Sequence, residues 1–223
     1  MSDQPSRLSL EAAHLWHKIT GQRARAQKAA KDAFAAAVAR LGPGDIAIDL
    51  GANVGEFTTV LAQTGARVFA FEPDPHAFDL LSAKVGAMPN VTLIQAAAGT
   101  EDSTAQLFRK SGFEREPDRA TKSSSLFADK ANVATENAVQ IEIRNFPVFL
   151  QELNHNVALI KIDIEGAEVP LLEVLLSQDV AARIGEIYVE THERKLPQLA
   201  ARTQALIQAS QHRTAPRINW DWH

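Results

Sequence analysis

The stretch Asp45-Ile46-Ala47-Ile48-Asp49-Leu50-Gly51-Ala52-Asn53-Val54-Gly55 passes from an apolar strand straight into a glycine loop. Asp45–Leu50 fits a short buried strand, and Glu56–Gln63 reads as the helix that follows. Gly51 and Gly55 have no Cβ, so backbone at those points can approach a bound molecule closely. Asn53 tolerates left-handed turn geometry and can offer an amide. A helix opening directly after the loop leaves free N–H groups facing the crevice at the carboxyl end of the strand.

The same rhythm continues outward. Ala66–Phe71 reads as a second strand. Asp74 can cap the next helix, with Pro75 at its first position and an end near Val85. Val91–Ala97 reads as a third strand. Strands alternating with helices in this way indicate βαβ units and a parallel sheet. Further on, Thr104–Arg109 and Val139–Arg144 look like strands separated by a polar stretch, Lys110 to Asn137, and a connection that long is usually functional or disordered. Pro147 opens a short helix. Ala158–Ile164 reads as a buried strand, Glu165–Leu176 as a helix and Ile184–Glu190 as a strand. Leu196–Ala209 follows as an amphipathic helix and Arg217–Trp222 as a last strand.

Upstream, residues 8–41 are Ala-rich and free of proline, which predicts one or two helices broken at Thr20-Gly21. Leu15, Ile19, Phe34, Val38 and Leu41 mark their buried stripe. Leu41-Gly42-Pro43-Gly44 then punctuates the chain. The expected organisation is an N-terminal helical segment, 1–41, packing on one α/β domain, 42–223. That domain is expected to be Rossmann-like, with a mostly parallel sheet flanked by helices.

Composition narrows the function classes. The 223 residues are 45% hydrophobic and contain no cysteine. Disulfide frameworks, zinc–thiolate sites and cysteine nucleophiles are thereby excluded. No apolar run reaches the roughly 18 residues of a membrane span. The start of the chain lacks the basic-then-apolar order of a signal peptide. A cytoplasmic protein is expected. Net charge is −4 and gives no reason to expect nucleic acid. Charge is uneven, since residues 1–40 hold seven Lys/Arg against three acids. That basic face reads first as a solvated one.

Glu72 ends the second strand, 23 residues after Asp49. An acid there is placed to accept two ribose hydroxyls, a feature shared with nicotinamide-dependent dehydrogenases. Two details point away from them. The loop is Gly-x-Asn-x-Gly rather than the full Gly-x-Gly-x-x-Gly. Asp49 would also repel a pyrophosphate at the mouth of the loop. S-adenosylmethionine has no phosphate; its sulfonium and ammonium groups favour an acid.

A second cluster lies later. Asp163 follows an apolar strand and needs a partner or a ligand. Glu165 and Glu168 are three residues apart and can share a helix face. For Glu168 the bland reading is preferred, an acid complementing the helix dipole. Glu190 and His192 close the next strand on the same rim, where a carboxylate or imidazole could accept a proton. For His192 an ordinary surface-loop residue is an equally good reading. Asp163, Glu165, Glu190 and His192 carry donors for a divalent ion. They show no tight ligand spacing, so no metal is expected.

At this point the sequence resembles the FkbM family of methyltransferases. The likeness rests on Asp49–Gly55 with Phe57-Thr58, on Phe71-Glu72-Pro73, and on Asn90 through Ala96-Ala97-Ala98-Gly99. It continues with Ser123–Leu126, the run Lys161-Ile162-Asp163-Ile164-Glu165-Gly166-Ala167-Glu168, and Glu190. It spans roughly residues 45–195, and the Asp-x-Glu-Gly-Ala-Glu stretch is its most specific part. The resemblance implies a class I fold, S-adenosylmethionine as cofactor and transfer to an oxygen, often on a sugar, polyketide or other small metabolite. By that likeness Asp49, Gly51, Asn53 and Gly55 line the methionine part, with Ala52 and Phe57 also at the cofactor. Glu72 holds the ribose, and Pro73, Ala96 and Ala97 flank the adenine. Asp163 faces the methionine end or the acceptor. The family's closing antiparallel hairpin is expected to be abbreviated here.

The expected chemistry is in-line displacement of methyl toward a small-molecule hydroxyl acceptor, with Asp163 or His192 taking the proton and Glu165 and Glu190 beside them. The stretch 110–137 is expected to act as a lid. A homo-oligomer is compatible with this reading. Two alternatives stand: a nicotinamide-dependent oxidoreductase, and a non-catalytic protein that binds S-adenosylmethionine.

Overall fold

The computed structural model describes residues 21–110 and 133–222. The readings of Leu15, Ile19, Ser123–Leu126 and nearly all of the lid lie outside these residues. In chain order the elements are α1 (Gln22–Val38), β1 (Ile46–Leu50), α2 (Glu56–Ala62), β2 (Arg67–Phe71), α3 (Pro75–Val85) and β3 (Val91–Ile94). Then come β4 (Ala97–Gly99), β5 (Ser103–Lys110), β6 (Val133–Asn145), α4 (Phe146–Leu153), β7 (Val157–Ile162) and α5 (Glu168–Leu176). The chain ends with β8 (Ile184–Val189), α6 (Ala200–Ser210) and β9 (Arg217–Asn219).

Six strands form one sheet in the order β3-β2-β1-β7-β8-β9, and every neighbouring pair is parallel. This is the mostly parallel α/β sheet that the alternation predicts. All five residues of β1 are buried, as expected for a central strand covered by helices on both faces. On one face Phe71 meets Phe146 and Phe149 edge-on, at centroid distances of 5.8 and 5.2 Å. On the other, α1 starts after Gly21, whose φ is +64°. It packs Ala30, Phe34 and Val38 into a cluster with Ala47, Leu61, Tyr188 and Trp222. Asp74 caps α3 by accepting the His76 N–H at 2.9 Å.

Several boundaries differ from the sequence reading, and β6 starts at Val133 instead of Val139. The third strand is not continuous to Ala97. The chain turns where Ala96 N–H donates to Ile94 O at 3.0 Å. Ala97–Gly99 then joins a second sheet of order β4-β6-β5, in which β5 and β6 pair antiparallel. Arg109 ties this sheet to the first with two 2.8 Å bonds to the Asp74 carboxylate. The helix read from Glu165 begins at Glu168 instead, because Glu165 and Gly166 have φ of +54° and +116°. At the C-terminus the last strand is short, Arg217–Asn219, and runs parallel to β8. No antiparallel strand enters the six-stranded sheet among the described residues, so the expected hairpin is reduced to this single edge strand.

β1 lies between β2 and β7, so connections leave it in opposite directions. This is the topological switch point at which open α/β sheets bind ligands. Backbone bonds extend the ladder past the strand ends there: Gly51 N–H to Phe71 O at 3.0 Å and Asp163 N–H to Leu50 O at 3.0 Å. No helix among the described residues is long and apolar enough to cross a membrane.

Candidate active site

A cleft enclosing about 180 Å³ of water-accessible space opens at this switch point. From β1 and its loop come Gly51, Ala52, Asn53 and Phe57. The tip of β2 gives Glu72 and Pro73, the β3–β4 turn gives Ala96 and Ala97, and the tip of β7 gives Asp163 and Glu165. Asp49, Gly55, Glu190 and His192 are not on the wall.

Glu72 is buried, and both its oxygens are held by backbone. Oε2 accepts the Asn53 N–H and Oε1 the Asp74 N–H, each at 2.8 Å. Burial pushes its pKa up to about 7 in spite of those two bonds. Asn53 has the left-handed φ of +50° that its type suggests. Its amide oxygen is used locally, accepting the Val54 N–H at 2.8 Å.

The glycines serve the chain as much as any ligand. A Cβ on Gly51 would stand 1.8 Å from the Asp163 carbonyl oxygen. On Gly55 it would stand 2.8 Å from Leu81 Cδ1. Gly55 is therefore also a packing position.

Asp49 is the larger correction. It is not an anion at the mouth of the loop. Its side chain is 0% exposed, with Oδ1 3.1 Å from the buried Lys161 ammonium and Oδ2 accepting the Thr58 hydroxyl at 2.7 Å. Lys161 also donates to Gly51 O at 2.7 Å. Burial disfavours its charge, but Asp49 and Asp163 outweigh that and raise its pKa. Lys161 and Thr58, quoted in the resemblance without a role, thus hold the loop from beneath. The signal was present: a lone lysine inside an apolar strand requires a buried acid.

Glu168 opens the first turn of α5, as read, and is in addition fully buried. Oε2 accepts the Gly166 N–H at 2.8 Å and Oε1 accepts the His192 backbone N–H at 3.1 Å. Oε1 also lies 3.2 Å from His192 Nδ1. His192 itself is 3% exposed, so it is no surface-loop residue. Its other ring nitrogen, Nε2, lies 3.1 Å from Glu165 Oε2, 3.7 Å from Asp163 Oδ1 and 3.9 Å from Glu190 Oε1. Burial opposes charge on this imidazole, but Glu165 and Glu168 outweigh it and push the pKa up to about 10. At neutral pH His192 already carries its proton and is a poor general base. Burial raises the pKa of Asp163 against the pull of Lys161 and His192. Burial also raises that of Glu190, and Asp163 adds to it.

The wall chemistry tests the fit of a nucleoside carrying positive charge. Among the described residues the cleft wall has four carboxylates, Glu56, Glu72, Asp163 and Glu165, against one ammonium, that of Lys161. That ammonium is already paired below the loop. Ala96, Ala97, Phe71 and Leu107 supply an apolar face for a base. The residues fit S-adenosylmethionine and would repel a pyrophosphate.

Residues 49–214 match the family described as the methyltransferase FkbM domain. The chain is also similar to a ribosomal RNA small subunit methyltransferase A from Phenylobacterium zucineum. The two are 40% identical over 70 residues, which cover 31% of this chain and 25% of that protein. The protein of the same description from Thermotoga maritima is 42% identical over 55 residues, 25% of this chain and 20% of that protein. The chain thus matches about a quarter or less of the length of these relatives.

Proposed function

The chain belongs to the FkbM methyltransferase domain family, and on that premise we propose that it transfers a methyl group from S-adenosylmethionine to a hydroxyl oxygen of a small metabolite. The observation that carries the choice of cofactor is the excess of carboxylates on the cleft wall. Bound there, the cofactor supplies an electrophilic methyl on a sulfonium centre.

The protein's part is binding and alignment. Glu72 accepts the ribose hydroxyls while its backbone bonds keep it aimed. The apolar turn at Ala96 and Ala97, with Pro73, holds the base. Asp163, the acid of the second cluster that ends β7 on the cleft wall, takes the proton of the acceptor hydroxyl. Its raised pKa suits it to accept a proton. His192 stays protonated and positions Glu165 and Asp163. Segment 1–41 is an appendage to the domain at 42–223, a division supported by the packing of Phe34 and Val38 on its core.

The small-metabolite acceptor is favoured over RNA because the chain carries net charge −4 and nucleic-acid binding needs a basic footprint. The relatives named for ribosomal RNA share too little length to transfer their acceptor. Calorimetric titration of the protein with S-adenosylhomocysteine and, separately, with reduced nicotinamide dinucleotide tests the reading. Binding of the first alone is expected. Binding of the dinucleotide alone would overturn it.

A further inference from the structure

One nitrogen faces too many acids. His192 Nε2 has a single N–H, yet three carboxylate oxygens lie 3.1, 3.7 and 3.9 Å from it, from Glu165, Asp163 and Glu190. Among the described residues neither Nε2 nor Asp163 Oδ1 has a hydrogen-bond partner, although both atoms are buried. The imidazole is 3% exposed and aimed into the cluster. Its far side is fixed, with Nδ1 3.2 Å from the buried Glu168 carboxylate.

We propose that His192 Nε2, Asp163 and Glu165 form a binding site for a divalent cation, which takes the place of the proton that Nε2 carries in the resting chain, with Glu190 at its edge 3.9 Å from Nε2. The distances fit. Ligand atoms about 2.1 Å from a shared ion stand ~3–4.2 Å from one another, the span seen around Nε2. Asp163, Glu165 and His192 each present one ligand atom, all within 4.8 Å of the others. A metal-bound imidazole almost always gives its other nitrogen to a carboxylate, which fixes the tautomer and the ring plane. Glu168 does this here, and that gives a buried acid in a first helical turn a purpose. The charge fits as well. Among the described residues four carboxylates, those of Asp163, Glu165, Glu168 and Glu190, surround the imidazole; the ammonium groups near them are that of Lys195, 3.4 Å from Glu165, and that of Lys161, 3.9 Å from Asp163 and already paired with Asp49. One imidazole nitrogen beside carboxylate oxygens favours an ion of the Mn²⁺ type over Ca²⁺, which takes oxygen ligands alone.

The site adjoins the cleft through Asp163 and Glu165. An ion there would hold an acceptor oxygen and lower its pKa. That role rests on the methyl-transfer reading; the binding of the ion does not.

The test is titration of Mn²⁺ into the full chain without cofactor, read by loss of the free-ion paramagnetic resonance signal and by calorimetry. One ion per chain is expected, with a dissociation constant on the order of 10 µM. His192→Gln and Glu165→Gln should each weaken it about tenfold or more. Glu165→Gln keeps the size of its side chain and serves as the test if His192→Gln does not fold. Absence of binding at about 1 mM Mn²⁺, or equal affinity in the folded Glu165→Gln variant, overturns the site. S-adenosylhomocysteine titrations run in parallel separate the two readings. Nucleoside binding without Mn²⁺ binding removes the metal alone, and the reverse removes the methyl-transfer reading.

Discussion

Asp49 and Lys161 are register partners across the β1–β7 pair, and their side chains meet with Nζ 3.1 Å from Oδ1, both shielded from water. Lys161 reaches on to Gly51 O, so the pair fixes the start of the glycine loop. The acid at the end of β1 is therefore neutralised within the sheet. The negative character of the cleft comes from Glu72, Asp163, Glu56 and Glu165 instead.

Removing one partner strands the other. Lys161→Met is expected to cost about 3–5 kcal/mol of stability, because a buried carboxylate is left without its counter-charge. Asp49→Asn keeps an acceptor for Thr58 and removes that charge. The double variant should therefore recover most of the loss in denaturant unfolding. A loss in the double variant equal to the sum of the two single losses would mean that the charges do not stabilise each other.

Gly51 and Gly44 both have positive φ, +78° and +101°, but only Gly51 is crowded. Gly44→Ala meets nothing within 4 Å and should cost about 1 kcal/mol for backbone strain alone. Gly51→Ala forces a Cβ to 1.8 Å from the Asp163 carbonyl. It should cost several times more, and it should also weaken nucleoside binding, since the loop and Asp163 must separate. Equal melting temperatures for the two variants would contradict the close approach.

The sequence carried the architecture because the apolar runs, the Pro75 start and the glycine loop are local signals. Glu72, Asn53 and Ala96 were readable on the same grounds. The second cluster was harder. Glu168 and His192 lie 24 residues apart, and only the parallel pairing of β7 with β8 brings them together. Ala167 to Leu176 favour a helix, but Glu165 stands outside it with a φ of +54° and Gly166 with +116°. Burial was invisible for Glu168, whereas for Lys161 the apolar strand around it was the signal. Composition places such residues on surfaces, and only a partner in an adjacent strand or loop allows them inside.

Glu72 gives a pH signature. Its pKa in the folded chain is about 7, above the ordinary 4.5. The folded state thus binds the proton more tightly than the unfolded one. Its contribution to stability is full below 4.5 and declines as pH rises through about 7. Ribose binding runs the opposite way, since the ionised carboxylate is the better acceptor. Affinity for S-adenosylhomocysteine should rise with pH up to about 7 and then level off, by at most about tenfold per pH unit. Glu72→Ala should weaken binding by roughly 1–3 kcal/mol and abolish the slope. A slope unchanged in that variant would assign the titration to another group.

Asp163 and His192 divide the acid–base work unequally, and kinetics can separate them. Asp163 lines the cleft and is placed to take the acceptor's proton. His192 is buried behind it and is held protonated by Glu165 and Glu168. Asp163→Asn keeps the size of the side chain but loses the base, so turnover should fall about a hundredfold or more. Affinity for S-adenosylhomocysteine should stay within about threefold, because the ribose is held at Glu72. His192→Asn should lower turnover too, with a shifted pH profile, because it frees Glu165 and Asp163 from a fixed cation. If Asp163→Asn turns over normally with a competent acceptor while His192→Asn is inactive, the base is the imidazole, and the charge assigned to it in the resting chain is wrong.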